Sequence, residues 1–332
     1  MNIVTTAKPH DRLAAHLSAG MAEVNEVIRA RMASEHAPRI PEVTAHLVEA
    51  GGKRLRPMLV LAAAEMCGYE GPHHVHLAAV VEFIHTATLL HDDVVDESAQ
   101  RRGRPTANLL WDNQSSVLVG DYLFARAFQL MTEPGSMRVM RILSNAAATI
   151  AEGEVLQLTA AQNLATDERV YLQVVRGKTA ALFSAATEVG GVIAGADDAT
   201  VRALYDYGDA LGIAFQIVDD LLDYQGKADS TGKNVGDDFR ERKLTLPVIK
   251  AVARADADER TFWERTIEKG RQDDGDLDTA LALMDRHGIL DETRADALAW
   301  AERAKAALEP LPAHEIKDML TDLADFVVSR VT

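Results

Sequence analysis

The sequence predicts an all-α protein. Three observations carry that prediction. The chain is rich in Ala, Leu, Glu and Arg, which favour helices, while aromatic residues make up only 5%. Apolar residues recur over long stretches with a helical period, and the alternating pattern of strands is hard to find. Pro and Gly fall in clusters that punctuate those stretches.

Taken in order, the first helix is expected over 10–33, with Pro38 and Pro41 marking the gap around the start of the second, 40–49. The next, 53–67, is closed by Gly71-Pro72. The helix 73–96 is apolar at most positions (Leu77, Ala78, Val80, Val81, Phe83, Ile84, Leu89, Leu90) and should therefore be central in the fold. Gly103 to Pro105 separates it from 114–132, and Pro134-Gly135 separates that helix from 136–164. Helices at 167–193 and 198–224 precede a polar loop from Gly226 to Gly236. Helices at 237–254, 257–270, 274–287, 289–308 and 313–330 complete the chain. No linker or low-complexity segment divides it, so residues 1–332 read as a single domain able to bury a substantial core.

Bulk properties narrow the function. With 35 basic against 51 acidic residues the net charge is −16, which argues against a nucleic-acid binder. Cys67 is the only cysteine, so no intrachain disulfide can form and a reducing compartment is expected. No apolar run reaches transmembrane length, and the first residues lack the pattern of a signal or transit peptide. A cytoplasmic protein is the expectation.

Two acidic clusters of identical spacing stand inside apolar helical runs: Asp92-Asp93-Val94-Val95-Asp96 and Asp219-Asp220-Leu221-Leu222-Asp223. The outer aspartates of each are four residues apart and share a helix face. Like charges so placed repel, and a divalent cation relieves the repulsion. Hard oxygen ligands point to Mg²⁺, which keeps waters and takes further ligands from substrate phosphate. One such cluster could be a solvated helix end with surface ion pairs; two favour a metal–diphosphate site.

Basic residues near element ends fit the same chemistry. Arg101 and Arg102 follow the first cluster, and guanidinium forks suit phosphate oxygens. Gly51-Gly52-Lys53-Arg54-Leu55-Arg56-Pro57 places Lys53 and Arg56 three apart at a helix start, able to share a face. Gly177-Lys178-Thr179 looks like the end of a P-loop but lacks the upstream glycine and strand, which excludes a nucleotide-triphosphatase reading. Lys233 and Lys243 follow the second cluster in a polar loop and the next helix start. His85 stands seven residues before Asp92, about two turns away on nearly the same face.

Together these residues resemble the trans-prenyl diphosphate synthases. The first aspartate-rich motif of that family stands here as Asp92-Asp93-Val94-Val95-Asp96 with Arg101-Arg102, and the second as Phe215-Gln216-Ile217-Val218-Asp219-Asp220-Leu221-Leu222-Asp223. The Gly-Lys-x-x-Arg-Pro, Lys-Thr and Gly-Lys-x-x-Gly-Asp-Asp elements follow in family order, across roughly residues 45 to 250. Ala151-Glu152-Gly153-Glu154-Val155-Leu156-Gln157 and Val235-Gly236-Asp237-Asp238 look like the long-chain group, the octaprenyl and decaprenyl diphosphate synthases of ubiquinone side chains.

The resemblance implies an isoprenoid synthase-like helical bundle around a deep cavity, and a homodimer. It implies roughly two or three Mg²⁺ ions per site, with Mn²⁺ able to substitute. Asp92, Asp96 and Asp219 would be the first metal ligands, supported by Asp93, Asp220 and Asp223. Lys53, Arg56, His85 and Arg102 would hold isopentenyl diphosphate. Arg101, Lys178, Thr179, Gln216, Lys233 and Lys243 would hold the allylic diphosphate. A peripheral membrane contact for product release is part of the same expectation.

Product length should depend on residues upstream of Asp92, because one helical turn spans about 5.4 Å, comparable with an isoprene unit. Ala87 and Thr88 stand there, where short-chain members of the family typically carry a bulky aromatic, so the path reads as open. Met140 and Leu143 are candidates for its floor. Three other readings remain: a farnesyl or geranylgeranyl diphosphate synthase, a class I terpene cyclase, and a non-catalytic subunit of a heteromeric synthase. The intact second cluster and the Lys53/Arg56 pair argue against the cyclase, and the six retained aspartates against the inert subunit.

Overall fold

A computed structural model describes residues 8–49, 51–101, 103–225 and 235–331. The fold is all-α, as expected. Among the described residues the only strands are Gln100–Arg101 and Arg104–Pro105, an antiparallel pair with Gln100 opposite Pro105. Asp112, Asp167 and Asp256 each cap a helix by accepting backbone N–H bonds, and Asp256 completes a capping box with Glu259.

Several helix boundaries differ from expectation. The stretch 10–33 is two helices, Pro9–His16 and Ser18–Met32, meeting at Leu17. The stretch 237–254 breaks into Asp237–Arg240 and Leu246–Arg254, with Arg242 in a left-handed conformation between them (φ 61°). The stretch 167–193 contains a π turn at Arg176–Ala180, and 257–270 ends in another at Glu264–Glu268. A short helix, Ala107–Leu110, stands where none was expected.

The chain forms two compact units. The first comprises Met1–Ala147, Leu182–Gly208 and Leu308–Asp322; the second comprises Ala148–Ala181, Asp209–Ala307 and Leu323–Thr332.

In the first unit the helix His73–Val95 is the central element, as its sequence implied. Leu77, Ala78, Val80, Val81, Phe83, Ile84 and Leu90 are all buried, and neighbours pack on it from Ser18–Met32, Leu55–Met66 and Asn113–Thr132. Each large side chain so buried contributes roughly 1.5–3 kcal/mol relative to exposure. Small residues let backbones approach closely: a Cβ on Gly190 would lie 2.6 Å from the Ala63 Cβ and 2.7 Å from the Val60 carbonyl oxygen.

In the second unit Leu164, Tyr224, Phe239, Val248, Trp263, Ile267, Met284 and Ile289 form one apolar core. Phe239 stacks on Phe262 and meets Trp263 edge-on. Lys250 is buried beside this core, donating to Glu168 (3.0 Å) and Glu292 (2.8 Å) with Asp296 at 3.0 Å. Burial disfavours its charge, but the bonds to Glu292, Asp296 and Glu168 outweigh that and raise its pKa.

Candidate active site

The first aspartate cluster closes the helix His73–Val95. Asp92 and Asp93 lie in its last turn, and Asp96 caps it by donating its backbone N–H to the Asp92 carbonyl at 2.8 Å. Asp92 and Asp96 are half-buried and one turn apart, whereas Asp93 is completely buried. Arg101, on the two-residue hairpin that follows, lies at 2.8 Å from Asp93 Oδ1 through both Nε and an Nη. Burial pushes the Asp93 carboxyl above its usual range, Arg101 pulls it down, and Asp96 adds to the rise. Its Oδ2 is buried without a hydrogen-bond partner among the described residues.

The second cluster has the same division of labour. Asp219 and Asp223 are half-buried, and Asp220 is 4% exposed. Asp220 Oδ2 accepts from the Tyr171 hydroxyl at 2.6 Å and Oδ1 accepts from Gln216 Nε2 at 2.7 Å. The other end of the Gln216 amide accepts from the Thr179 hydroxyl at 2.8 Å. Burial pushes Asp220 up to about 6, against the two hydrogen bonds, with Asp219 and Asp223 adding like charge. Burial and Asp220 together push the Tyr171 hydroxyl well above its ordinary value, so it remains a donor. Asp219 Oδ1 accepts from Arg330 at 2.8 Å, and Asp223 Oδ2 accepts the backbone N–H of Asp238 at 3.0 Å.

The basic residues divide. Arg56 and His85 meet at 3.3 Å, and the Arg56 guanidinium lies 4.6 Å from the centre of the Phe183 ring. Lys53 is exposed and precedes the helix, which starts at Leu55, so a shared helical face with Arg56 does not form. Arg54, left-handed at φ 49°, intervenes and pairs with Glu82 at 2.6 Å. Lys178 donates to Glu154 at 2.9 Å, and Lys243 lies 2.6 Å from Glu241. Lys243 sits in the break between helices rather than at a helix start. Arg102 and Lys233 lie outside the described residues.

Lys178 and Thr179 belong to the π turn, and the close approach of two glycines accompanies it. A Cβ on Gly177 would lie 2.7 Å from the Gly153 Cα, and one on Gly153 would lie 2.8 Å from the Lys178 nitrogen. Of the chain-length candidates, Ala87 and Leu143 are fully buried and Thr88 and Met140 half-buried. The Thr88 hydroxyl returns to the His85 carbonyl at 2.8 Å.

Tyr171, Arg330 and Phe183 are the neighbours that sequence reasoning missed. Tyr171 is 49 positions from Asp220, and no local pattern links the two. The inward turn of the middle aspartates did have a signal. Asp93 follows buried Leu90 by three and Thr86 by seven, and Asp220 follows Ile217 and Ile213 likewise, which is the phase of the buried face.

Every donor in the two clusters is a carboxylate oxygen, the ligand type that hard divalent cations take. Among the described residues no group of three or more His, Cys, Asp or Glu forms a ready-made metal cage. Mg²⁺ is commonly held by one or two carboxylates together with phosphate and water, and the half-buried outer aspartates fit that role.

The family model for polyprenyl synthetase matches residues 37–284. The octaprenyl diphosphate synthase of Escherichia coli is 45% identical over 310 residues, 93% of this chain and 95% of the relative. A crystal structure of a decaprenyl diphosphate synthase from Rhodobacter capsulatus matches with a TM-score of 0.95 at 74% identity, covering 97% of this chain and 99% of that one. A polyprenyl synthase from Caulobacter crescentus, complexed with calcium and isoprenyl diphosphate, matches with a TM-score of 0.92 at 52% identity, covering 96% and 97%. No helix among the described residues is long and apolar enough to cross a membrane.

Proposed function

Because the chain belongs to the polyprenyl synthetase family, we propose that it is a long-chain trans-prenyl diphosphate synthase. It condenses isopentenyl diphosphate repeatedly with an allylic diphosphate, farnesyl or geranyl, to an all-trans product of octaprenyl to decaprenyl size for a ubiquinone side chain. The observation that carries the reading is the repeated aspartate pattern, in which the middle carboxylate is tethered inside and the outer two stand half-buried one turn apart. Similarity to an octaprenyl and a decaprenyl diphosphate synthase supports the product range. The calcium and isoprenyl diphosphate of the Caulobacter crescentus structure support a divalent cation and a diphosphate substrate.

On this reading Asp92, Asp96 and Asp219 bind Mg²⁺ with Asp223 assisting, and Asp93 and Asp220 hold their helices from behind. When bound, the metal supplies positive charge to the departing pyrophosphate. Lys178 and Lys243 exchange their carboxylate partners for phosphate oxygens of the allylic substrate, beside Thr179 and Gln216, with Arg101 and Lys233 completing the set. Arg56 and His85, with Lys53 and Arg102, orient isopentenyl diphosphate. The allylic C–O bond breaks with its electron pair leaving on pyrophosphate, and the isopentenyl double bond attacks the resulting cation. Pyrophosphate takes the proton that is then lost. Apolar walls keep water from the cation. The working form is a cytoplasmic homodimer of single-domain chains that touches membranes only to release product.

Purified chain incubated with Mg²⁺, labelled isopentenyl diphosphate and farnesyl diphosphate tests this. Chromatography of the dephosphorylated product should show prenols of octaprenyl to decaprenyl length. Farnesyl- or geranylgeranyl-sized prenols would mean a shorter-chain synthase, and cyclic products a cyclase. No incorporation would mean a subunit that needs a partner.

A further inference from the structure

Helix Glu168–Val175 continues through the π turn Arg176–Ala180 into Ala181–Ile193. In a regular α-helix two turns take about 7.2 residues. Thr179, eight positions after Tyr171, would then lie about 80° round the axis from it. A π turn closes i→i+5 bonds and accommodates one more residue per turn, which brings Thr179 back onto the face of Tyr171.

The contacts agree with that phase. Tyr171 donates to Asp220 at 2.6 Å and Thr179 donates to Gln216 at 2.8 Å. The two acceptors are four residues apart, one turn of the same helix, and are themselves joined by the 2.7 Å bond from Gln216 to Asp220. One helix therefore grips the other at two points. Asp220 is the buried member of its cluster, so the donors that hold it fix the rotation of that helix about its axis. That rotation sets where Asp219 and Asp223 point, and metal sites tolerate only about 10–20° of error.

We propose that Tyr171 is a positioning residue for the second aspartate cluster, brought into register with Thr179 by the π turn and acting on the metal-binding carboxylates through Asp220. The inference rests on the proposed synthase function, because that reading supplies the metal. Tyr171 is buried and its hydroxyl is engaged by Asp220, so it acts by holding that carboxyl.

The test compares the parent with Tyr171→Phe, which keeps the ring and removes the hydroxyl. Thermal unfolding is measured with and without Mg²⁺ plus pyrophosphate, and Mn²⁺ binding in the presence of pyrophosphate is followed by electron paramagnetic resonance. The variant should show a smaller ligand-induced rise in Tm, about tenfold weaker Mn²⁺ binding and about tenfold lower kcat, with KM for isopentenyl diphosphate little changed. A variant that loses the same Tm with and without ligand, at unchanged Mn²⁺ affinity, would overturn the proposal. No ligand-induced rise in the parent would instead sink the synthase reading. If Tyr171→Phe fails to fold, the other end of the grip is read by Mn²⁺ binding without pyrophosphate, because Thr179 itself lies beside the diphosphate on the proposed reading: Thr179→Val should bind Mn²⁺ more weakly and Thr179→Ser as the parent does. Equal Mn²⁺ affinities in both would overturn the proposal too.

Discussion

Arg101 brings Nε and one Nη to 2.8 Å from the same oxygen of Asp93, a carboxylate with no exposed surface. The pair ties the hairpin to the end of the central helix and offsets the cost of burying a charge beside Asp96. Removing one partner of a buried pair leaves the other uncompensated, at a cost of about 3–5 kcal/mol. Arg101 is partly exposed, so water can replace it in part. Arg101→Met should therefore lose about 2–4 kcal/mol in urea unfolding at neutral pH. The double variant Arg101→Met/Asp93→Leu should regain most of that loss, because it leaves no orphaned charge. A double variant no more stable than the single one would mean that the hairpin, not the pair, carries the stability.

Asp220 gives the metal-free protein a pH signature. Its pKa in the fold is pushed up to about 6 by burial, above the ordinary 3.8. Between those values the native state holds a proton that the unfolded chain has released, so stability falls as pH rises. The contribution is complete below the unfolded value and gone above the folded one. With metal chelated, the unfolding free energy of the parent should decline more steeply between about pH 4 and 6 than that of Asp220→Asn. Parallel curves for the two proteins would show that Asp220 does not hold its proton there.

Much of this was legible in the sequence because it is local. The apolar run of residues 73–95 identifies a central helix, and spacing alone puts Asp92 with Asp96 and Asp219 with Asp223 on common faces. What escaped depends on distant partners. The break at 241–245 contains neither Pro nor Gly, and Arg242 sits there with its Nε donating to the Ile267 carbonyl at 3.0 Å. The π turn coincides with Gly153 crossing at Gly177, 24 positions apart in sequence like the Lys178–Glu154 pair beside them. Tyr171 reads as one more apolar helical position until Asp220 is seen against it. Nor does any local pattern mark Lys250 as a buried charge, because its three carboxylate partners come from two other helices.

Gly177 offers a test of whether close backbone approach is required for the site. An added Cβ would meet the Gly153 Cα at 2.7 Å and the Thr149 carbonyl oxygen at 3.0 Å, both backbone atoms that cannot swing aside. Gly177→Ala must separate the two helices, and overpacking of this kind costs about 1–3 kcal/mol. The shift would carry Lys178 and Thr179 with it, so the KM for the allylic diphosphate should rise in the folded variant while that for isopentenyl diphosphate stays close to the parent's. A change in both constants by the same factor would point to general loosening of the fold.

Ala87 separates two meanings of a buried small residue. It is fully buried on the central helix, one turn or more before Asp92, so it either lines the path of the growing chain or merely fills a gap between helices. The two meanings differ in what a large side chain would do. Where Ala87 faces the product path, a tyrosine ring can occupy space that otherwise belongs to the tail, and the fold bears little of the strain. Ala87→Tyr should then accumulate as a stable enzyme whose dephosphorylated products shorten toward farnesyl or geranylgeranyl size. Where Ala87 fills a close-packed contact, the ring must displace neighbours, at about 1–3 kcal/mol or more, and any active fraction should still make full-length product. Product length and Tm measured on one preparation decide between them: shorter chains at near-parental Tm support the path, and full-length chains at lowered Tm support packing alone.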